Sequence, residues 1–365
     1  MTITVIRPAD LGPAEIATWH EMQAKTPALT NPFLSPEFAR AVGRLRPLAR
    51  VAVLAEGSDV IGFFPFERRR LGLGVPIAAG LTDCQGLVHL PGVRWDARAL
   101  LRACGISAWR FDHLVADQDS FEQYRAALAP SPVIDLSEGF AGYHDELKRR
   151  SPKFVSSLGR KTRKLIREVG ELRLVTASAD VSELRTLMAW KSGQYQRTGR
   201  LDRFGQQWIV ELLDSLLATQ TAALAGLLSV LYAGDVPVAA HFGLRAGELM
   251  TYWFPAYDPA FHTYSPGLML NVRLAEELAA DGVSLIDFGK GKMQYKETLK
   301  TGELLVAEGT VTQRSPLGAA HWARQAPQAW AIRQIRAHPP LFRAADAVLR
   351  RGAHLRGQLT SRAGG

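Results

Sequence analysis

The chain has 365 residues, 47% of them hydrophobic, and a formal net charge of +9. This is enough apolar material for two sizeable cores, and a chain of this length is expected to hold two domains rather than one. Its two cysteines, Cys84 and Cys104, exclude a disulfide framework and lack metal-site spacing, so both read as core residues in a reduced compartment.

The positive charge is local. Residues 309–365 hold nine arginines, one acid and no lysine, and residues 147–167 hold nine basic residues and no acid. Two patches therefore account for the excess, which argues little for nucleic-acid binding by the globular body. The first ten residues lack the charged start and apolar run of a signal peptide. The longest nearly apolar run, residues 222–233, is too short to cross a bilayer. A soluble, cytoplasmic protein is expected.

In chain order, residues 3–6 alternate like a first strand and residues 11–24 read as a helix. Ser35-Pro36-Glu37 opens a second helix with an N-cap and a proline in the first turn. Residues 51–55 and 60–64 flank Gly57 as a hairpin. Residues 71–80 read as a glycine-rich loop, 100–103 as helix, 111–115 and 133–136 as strands. Residues 143–169 form a long basic helix interrupted at Ser151-Pro152. After it come a strand (172–176), helices at 181–195 and 208–217, and three strands at 227–231, 236–244 and 249–255. A helix at 268–280 and a strand at 284–288 close the pattern. The two halves share an outline without evident sequence identity. The division expected is 1–140, 141–313 and a basic helical tail over 314–365, which on its arginines and aromatics would suit an anionic membrane surface.

The chemistry concentrates late. Tyr264-Ser265-Pro266-Gly267 opens an amphipathic segment, and the strand after it ends in Asp287-Phe288-Gly289-Lys290-Gly291, followed by Tyr295-Lys296. Bare N–H groups at a helix start attract phosphate, so Ser265 and Gly267, with Tyr264, are candidates to cradle an acyl carrier's pyrophosphate. The ordinary alternative is a capped helix start. Asp287 ends a buried-looking strand and is a candidate general base, or else caps the turn that follows it. His241, on a central strand with Ala240 on the opposite face, is the other candidate base. Lys296 reads as a phosphate or carboxylate ligand, against a solvated helix face. Trp190, Tyr195, Tyr252 and Trp253 are either cleft-lining rings or core. Asp83 and Gln85, in a glycine-flanked turn of the first half, are candidates to contact an acceptor across the domain interface. The basic run over 147–167 is either a solvated helix face or a landing surface for an anionic substrate or tRNA. No zinc pattern, Walker loop or dinucleotide fingerprint is present.

Tyr252-Trp253-Phe254-Pro255-Ala256-Tyr257-Asp258, Ser265-Pro266-Gly267 and the Asp287 to Lys296 stretch resemble the Gcn5-related acetyltransferase (GNAT) superfamily. Pro32-Phe33-Leu34-Ser35-Pro36, Gly62-Phe63-Phe64-Pro65-Phe66 and Asp83-Cys84-Gln85-Gly86 extend the resemblance through the first half. More narrowly, the chain is similar to acetyltransferases associated with cellulose biosynthesis and, distantly, to the Fem aminoacyltransferases. The resemblance implies an α/β fold of tandem GNAT domains, each a mixed sheet flanked by helices. It also implies an acyltransferase drawing on acetyl-CoA or another acyl-CoA, with no metal, and an amine or hydroxyl of a cell-envelope glycan or its precursor as acceptor. The donor would lie between splayed strands near residues 249–255, Tyr295 would be the acid, and a central-strand N–H would stabilise the oxyanion. In this superfamily the pyrophosphate loop reads Gln/Arg-x-x-Gly-x-Gly/Ala; here it is His262-Thr263-Tyr264-Ser265-Pro266-Gly267. Only the last glycine is kept, and Pro266 supplies no N–H. Aminoacyl-tRNA as donor, or a non-catalytic scaffold in polysaccharide synthesis, are the alternatives.

Overall fold

Ser35 does what its sequence announces: its side chain accepts the Phe38 N–H and caps α2 (Pro36–Leu45). The computed structural model describes residues 1–323. The expected basic tail lies outside the described residues beyond that point.

The first half contains β1 (Thr2–Ile6), α1 (Pro13–Lys25), α2, β2 (Ala49–Glu56), β3 (Asp59–Arg68), β4 (Leu73–Pro76), β5 (Val88–His89), α3 (Ala97–Ala103), β6 (Ala108–Val115) and β7 (Arg125–Asp135). The second contains α4 (Gly139–Arg150), α5 (Pro152–Glu168), β8 (Leu172–Val175), α6 (Val181–Arg197), α7 (Gln207–Leu217), β9 (Ala225–Ala233), β10 (Val236–Ala246), β11 (Leu249–Tyr257), α8 (Pro266–Ala280), β12 (Leu285–Asp287), α9 (Gln294–Leu299) and β13 (Gly302–Thr312). Three features depart from expectation. Residues 73–76 of the supposed glycine-rich loop form β4, which pairs with β3 and β6. Helix α9 and strand β13 were not foreseen.

The strands make one mixed sheet in the order β1-β2-β3-β4-β6-β13-β7-β12-β11-β10-β9-β8, with β5 beside β3. The halves interleave within it. Strand β13, from the end of the second half, inserts between β6 and β7 of the first and pairs antiparallel with both. Gly309 permits the fit, since a Cβ there would stand 2.2 Å from the Tyr124 carbonyl oxygen. Strand β7 in turn pairs with β12, so the two half-sheets share an unbroken ladder.

Alternating strand residues feed separate cores on opposite faces. Leu228 and Val230 of β9 pack with α6 and α7, whereas Leu227 and Leu231 pack with α5 and α8. The core under α6 and α7 continues into the first half beneath α1 and α2. A third core, with Phe64, Trp109 and Phe121, lies under α3. The shared core joins the halves through Trp253, whose ring lies 5.1 Å from Phe33. The Trp253 Nε1–H also donates to the Leu81 carbonyl at 2.9 Å.

Candidate active site at the seam of the two halves

Strands β11 and β12 run parallel but pair only over Leu249–Leu285, Met250–Ile286 and Thr251–Asp287. Strand β12 stops at Asp287, while β11 continues to Tyr257 with β10 as its only strand neighbour among the described residues. The chain must leave the sheet at Asp287, and polar groups from both halves meet there.

Asp287 is 3% exposed. Its Oδ1 accepts from Ser131 Oγ at 2.7 Å and from the Gly289 N–H at 2.9 Å. Burial pushes its pKa up, against those two bonds and the Lys296 charge. The turn-capping role is thus realised, by a carboxylate sunk in the seam. Gly289 follows with φ 71°, the left-handed region that favours glycine. A Cβ there would sit 2.6 Å from Asp83 Oδ2, so this glycine lets Asp83 of the first half reach the loop.

Lys296 is 8% exposed, not on a solvated helix face. Its Nζ donates to the carbonyls of Phe288 at 2.7 Å and Gly289 at 2.9 Å, clipping the loop from below. Tyr295 stands edge-on to Phe288 at 5.9 Å. Burial, then the Asp83 charge, lifts its phenol above the ordinary range, so it stays protonated and able to donate.

Asp83 is partly accessible, with 29% of its side chain exposed. Burial raises its pKa to about 6, with His113 opposing and Asp287 reinforcing the rise. Its Oδ1 lies 3.5 Å from His113 Nε2, and His113 Nδ1 lies 3.0 Å from Asp112 Oδ1. Burial alone would raise Asp112, but hydrogen bonds from His113 and Gln85 hold it at about 2. Gln85 is a brace: its Nε2 donates to Asp112 Oδ1 at 2.7 Å and its Oε1 accepts both the Asp112 and His113 N–H groups at 3.0 Å.

His241 behaves differently. It is fully buried and stacked on Tyr252 with ring centroids 3.9 Å apart. Its Nε2 accepts the Trp253 N–H at 3.3 Å, and its Nδ1 has no partner. Burial, with the Lys191 charge, lowers its pKa to about 3. It is a neutral ring whose basic nitrogen is already taken. Tyr252 is 3% exposed and Trp253 9%; Trp253 belongs to the shared core, and Tyr252 backs the seam beside Phe288 at 5.1 Å.

The helix start of α8 is separate from this cluster. Ser265 adopts a left-handed conformation, φ 61°, and its Oγ accepts from Lys161 Nζ of α5 at 2.8 Å. Tyr264 OH donates to Glu168 at 2.7 Å, and Lys164 Nζ lies 5.4 Å from the Tyr264 ring. Leu268 and Met269 N–H groups close back on the Ser265 carbonyl, while the Gly267 N–H closes on no carbonyl. A Cβ at Gly267 would meet only Tyr257 Cδ1, at 3.5 Å, an ordinary contact. The protein's own packing does not demand glycine there.

Sequence reasoning missed Lys191. It lies in the stripe Leu184, Leu187, Met188, Lys191, Tyr195 of α6, and a lysine at helical spacing among apolar residues was the available signal. Its Nζ donates to the Pro255 carbonyl on β11 at 2.8 Å. Burial, then Arg200 and Lys296, lowers its pKa to about 8. Missed too was His113, which nothing in its local sequence distinguishes. Among the described residues no group of His, Cys, Asp or Glu is arranged to hold a metal.

Residues 152–297 match the model of the acetyltransferase (GNAT) domain, and that stretch of the second half has the GNAT-type α/β fold. The strand–helix–strand unit β11-α8-β12 with its short parallel pairing lies inside that match. The chain is similar in fold to the crystal structure of FemX, with TM-score 0.55 at 11% identity, covering 82% of this chain and 98% of that one. A tandem GNAT protein from the clavulanic acid biosynthesis pathway (TM-score 0.49, 10% identity, 85% and 98% covered) is also similar. So is the C-terminal domain of a putative lysylphosphatidylglycerol synthetase from Agrobacterium fabrum (0.49, 11%, 84% and 94%). No curated protein sequence matches the chain. No helix among the described residues is long and apolar enough to cross a membrane.

Proposed function

We propose that the protein transfers an acyl group from an acyl-CoA to an amine or hydroxyl, and that the reaction takes place at the seam between β11, the Asp287 loop and Asp83. The observation that carries this is the early stop of β12 at Asp287, which leaves one edge of β11 without a strand partner beyond Thr251, beside a cluster of shifted carboxylates.

Acyl-CoA supplies an activated thioester. Gly267, through its unpartnered N–H, and Lys161, which donates to Ser265 Oγ at 2.8 Å, are the groups that would hold its phosphates; the open Cβ position at Gly267 fits such a close approach. Asp83, partly exposed and ionised above about pH 6, takes the proton from the acceptor. His113, held by Asp112, orients it. Tyr295 stays protonated and donates a hydrogen bond or proton to the departing side. His241 has no base role in this reading: it shapes the bulge of β11, where the register shifts between Phe242 and Leu244. The motifs shared with cellulose-biosynthesis acetyltransferases support an envelope glycan or its precursor as the acceptor.

A second reading, aminoacyl-tRNA as donor, is supported by the fold likeness to FemX and by the lysines of α5 beside the α8 start. Calorimetric titration of the full chain with acetyl-CoA, repeated on Gly267→Asp, separates them. Micromolar binding lost in the variant is the expected outcome. A wild-type protein that ignores acetyl-CoA but binds tRNA with a steep salt dependence overturns the acyl-CoA reading.

A further inference from the structure

Three large apolar side chains stand in water at one end of the first half. Leu71 is 70% exposed, Leu317 48% and Trp322 64%. Single exposed leucines are ordinary, but these three are neighbours and make a patch. Residues 316–323 are helical, and His321 Nε2 lies in hydrogen-bond contact with the Leu71 carbonyl at 2.8 Å. Leu317 precedes His321 by one turn and shares its face toward the loop; Trp322 follows it directly. Leu71 has φ 58°, the left-handed region that a leucine enters only at a cost. A strained leucine turned into water gains nothing from the protein's own core.

Arginines border this patch. The Gly72 carbonyl accepts the Ser107 N–H at 2.7 Å, and the Ser107 carbonyl accepts the Gln313 N–H at 2.8 Å. These bonds set the Leu71 loop beside a cavity of about 520 Å³ lined by Arg98, Arg102, Ser107, Gln313 and Arg314. Arg98 is fixed there, its Nε donating to the Thr312 carbonyl at 3.1 Å and its guanidinium 5.5 Å from the Tyr124 ring. Arg70, Arg102 and Arg314 are exposed, and none of the four arginines forms an ion pair among the described residues. The acid that lines the cavity, Asp96, accepts the Ala99 N–H at 2.7 Å as the N-cap of α3.

We infer that this end of the molecule docks on an anionic phospholipid bilayer. Leu71, Leu317 and Trp322 enter the headgroup region, and a lipid phosphate seats among Arg98, Arg102 and Arg314. The chemistry selects a bilayer over other occupants. Tryptophan and leucine beside arginine match an interface that is apolar within and negatively charged at its surface. A nucleic acid would satisfy the arginines and leave the aliphatic side chains without a partner. A second copy of the chain would set the same arginines against one another. Residues 324–365 carry eight arginines and one acid, so that segment repeats the charge of the patch instead of complementing it, and is drawn to the same leaflet. The surface lies at the start of β6, about 17 Å along that strand from His113 at the usual rise per residue, and it does not rest on the transferase reading.

The test is cosedimentation of the full chain with vesicles of phosphatidylcholine alone and of phosphatidylcholine mixed with phosphatidylglycerol. Wild type is compared with Arg102→Gln/Arg314→Gln and with Leu71→Gln/Trp322→Gln. All four positions are exposed, so each variant keeps its melting transition. Wild type is expected to bind the mixed vesicles and not the neutral ones. At about fivefold per arginine, the double arginine variant binds roughly twentyfold more weakly. The apolar variant loses at least about tenfold. Leu71→Cys carrying a polarity-sensitive dye reads the face directly, because Cys84 and Cys104 are buried; its emission shifts to the blue on the mixed vesicles. Equal binding to both vesicles, both variants binding as tightly as wild type, or a bound protein whose dye stays in water overturns the proposal. So does tRNA binding that is lost in the arginine variant without any vesicle binding, which makes the surface an RNA site.

Discussion

Replacing Lys296 by methionine tests whether the Asp287 loop is held from within the protein or waits for a ligand. The substitution keeps the apolar stem and removes the ammonium. Three hydrogen bonds from a charged donor disappear, two strong ones at 2.7 and 2.9 Å to Phe288 and Gly289 and a long one at 3.4 Å to Lys290. Each such bond contributes about 1.5–3 kcal/mol. Against this, the buried ammonium is itself penalised, since burial lowers the Lys296 pKa despite Asp83 and Asp287 nearby; methionine recovers that part. The net expectation is a loss of about 2–3 kcal/mol. At about 2–4 °C per kcal/mol for a large domain, the melting temperature drops by roughly 4–12 °C. Urea unfolding followed by circular dichroism gives the midpoint, and an acetyl-CoA titration gives donor affinity. A methionine variant as stable as wild type whose donor affinity drops tenfold would refute the reasoning, because Lys296 would then be a ligand-binding group and the loop clip incidental.

Other consequences follow from the same cluster. Asp83 has its folded pKa raised to about 6 from 3.8, so the native state binds more protons than the unfolded state between about pH 4 and 6. Wild-type stability therefore falls across that window relative to Asp83→Asn, while acyl-transfer rate rises through about pH 6 in wild type and is low and flat in the variant; parallel pH-dependent unfolding and rate profiles check both. Gly289→Ala forces a left-handed alanine against Asp83 Oδ2 and should cost about 1–2 kcal/mol from the backbone alone, with a displaced Asp83 seen as a shifted pH–rate midpoint. Trp253→Phe leaves the buried Leu81 carbonyl without its donor and should cost about 1–3 kcal/mol, measured by urea midpoint. His241→Ala should destabilise by removing a buried stacked ring, yet leave the pH–rate profile between pH 6 and 8 unmoved; a lost inflection there would restore His241 as the base.

Much of the second half was legible because its signals are local. The stripe of α6, the Gly234-Asp235 turn of the β9–β10 hairpin and the Pro-Gly start of α8 each lie within a few residues of the element they specify, and periodicity reads them. The convergence of Asp83 with the Asp287 loop was not legible, because the two lie 204 positions apart in the chain; the sequence offered Asp83 only as a candidate to meet an acceptor across the domain interface. Strand β13 is a second such case. Leu304 and Leu305 are exposed neighbours in it, so alternation fails, and its partners Leu128 and Phe111 belong to the other half. Only the filled sheet, with a strand-wide gap between β6 and β7, selects that segment.

The candidate site divides in the same way. The sequence by itself determined that a carboxylate, two glycines and a Tyr-Lys pair would follow a buried strand, because residue order and turn chemistry are properties of the chain. The tertiary structure decided what those groups do. It closed Lys296 onto the loop, locked the His241 nitrogen onto a backbone N–H, and brought Asp83 and His113 in from the first half. Burial and charge proximity set those roles, and both depend on where distant segments of the chain come to rest in three dimensions.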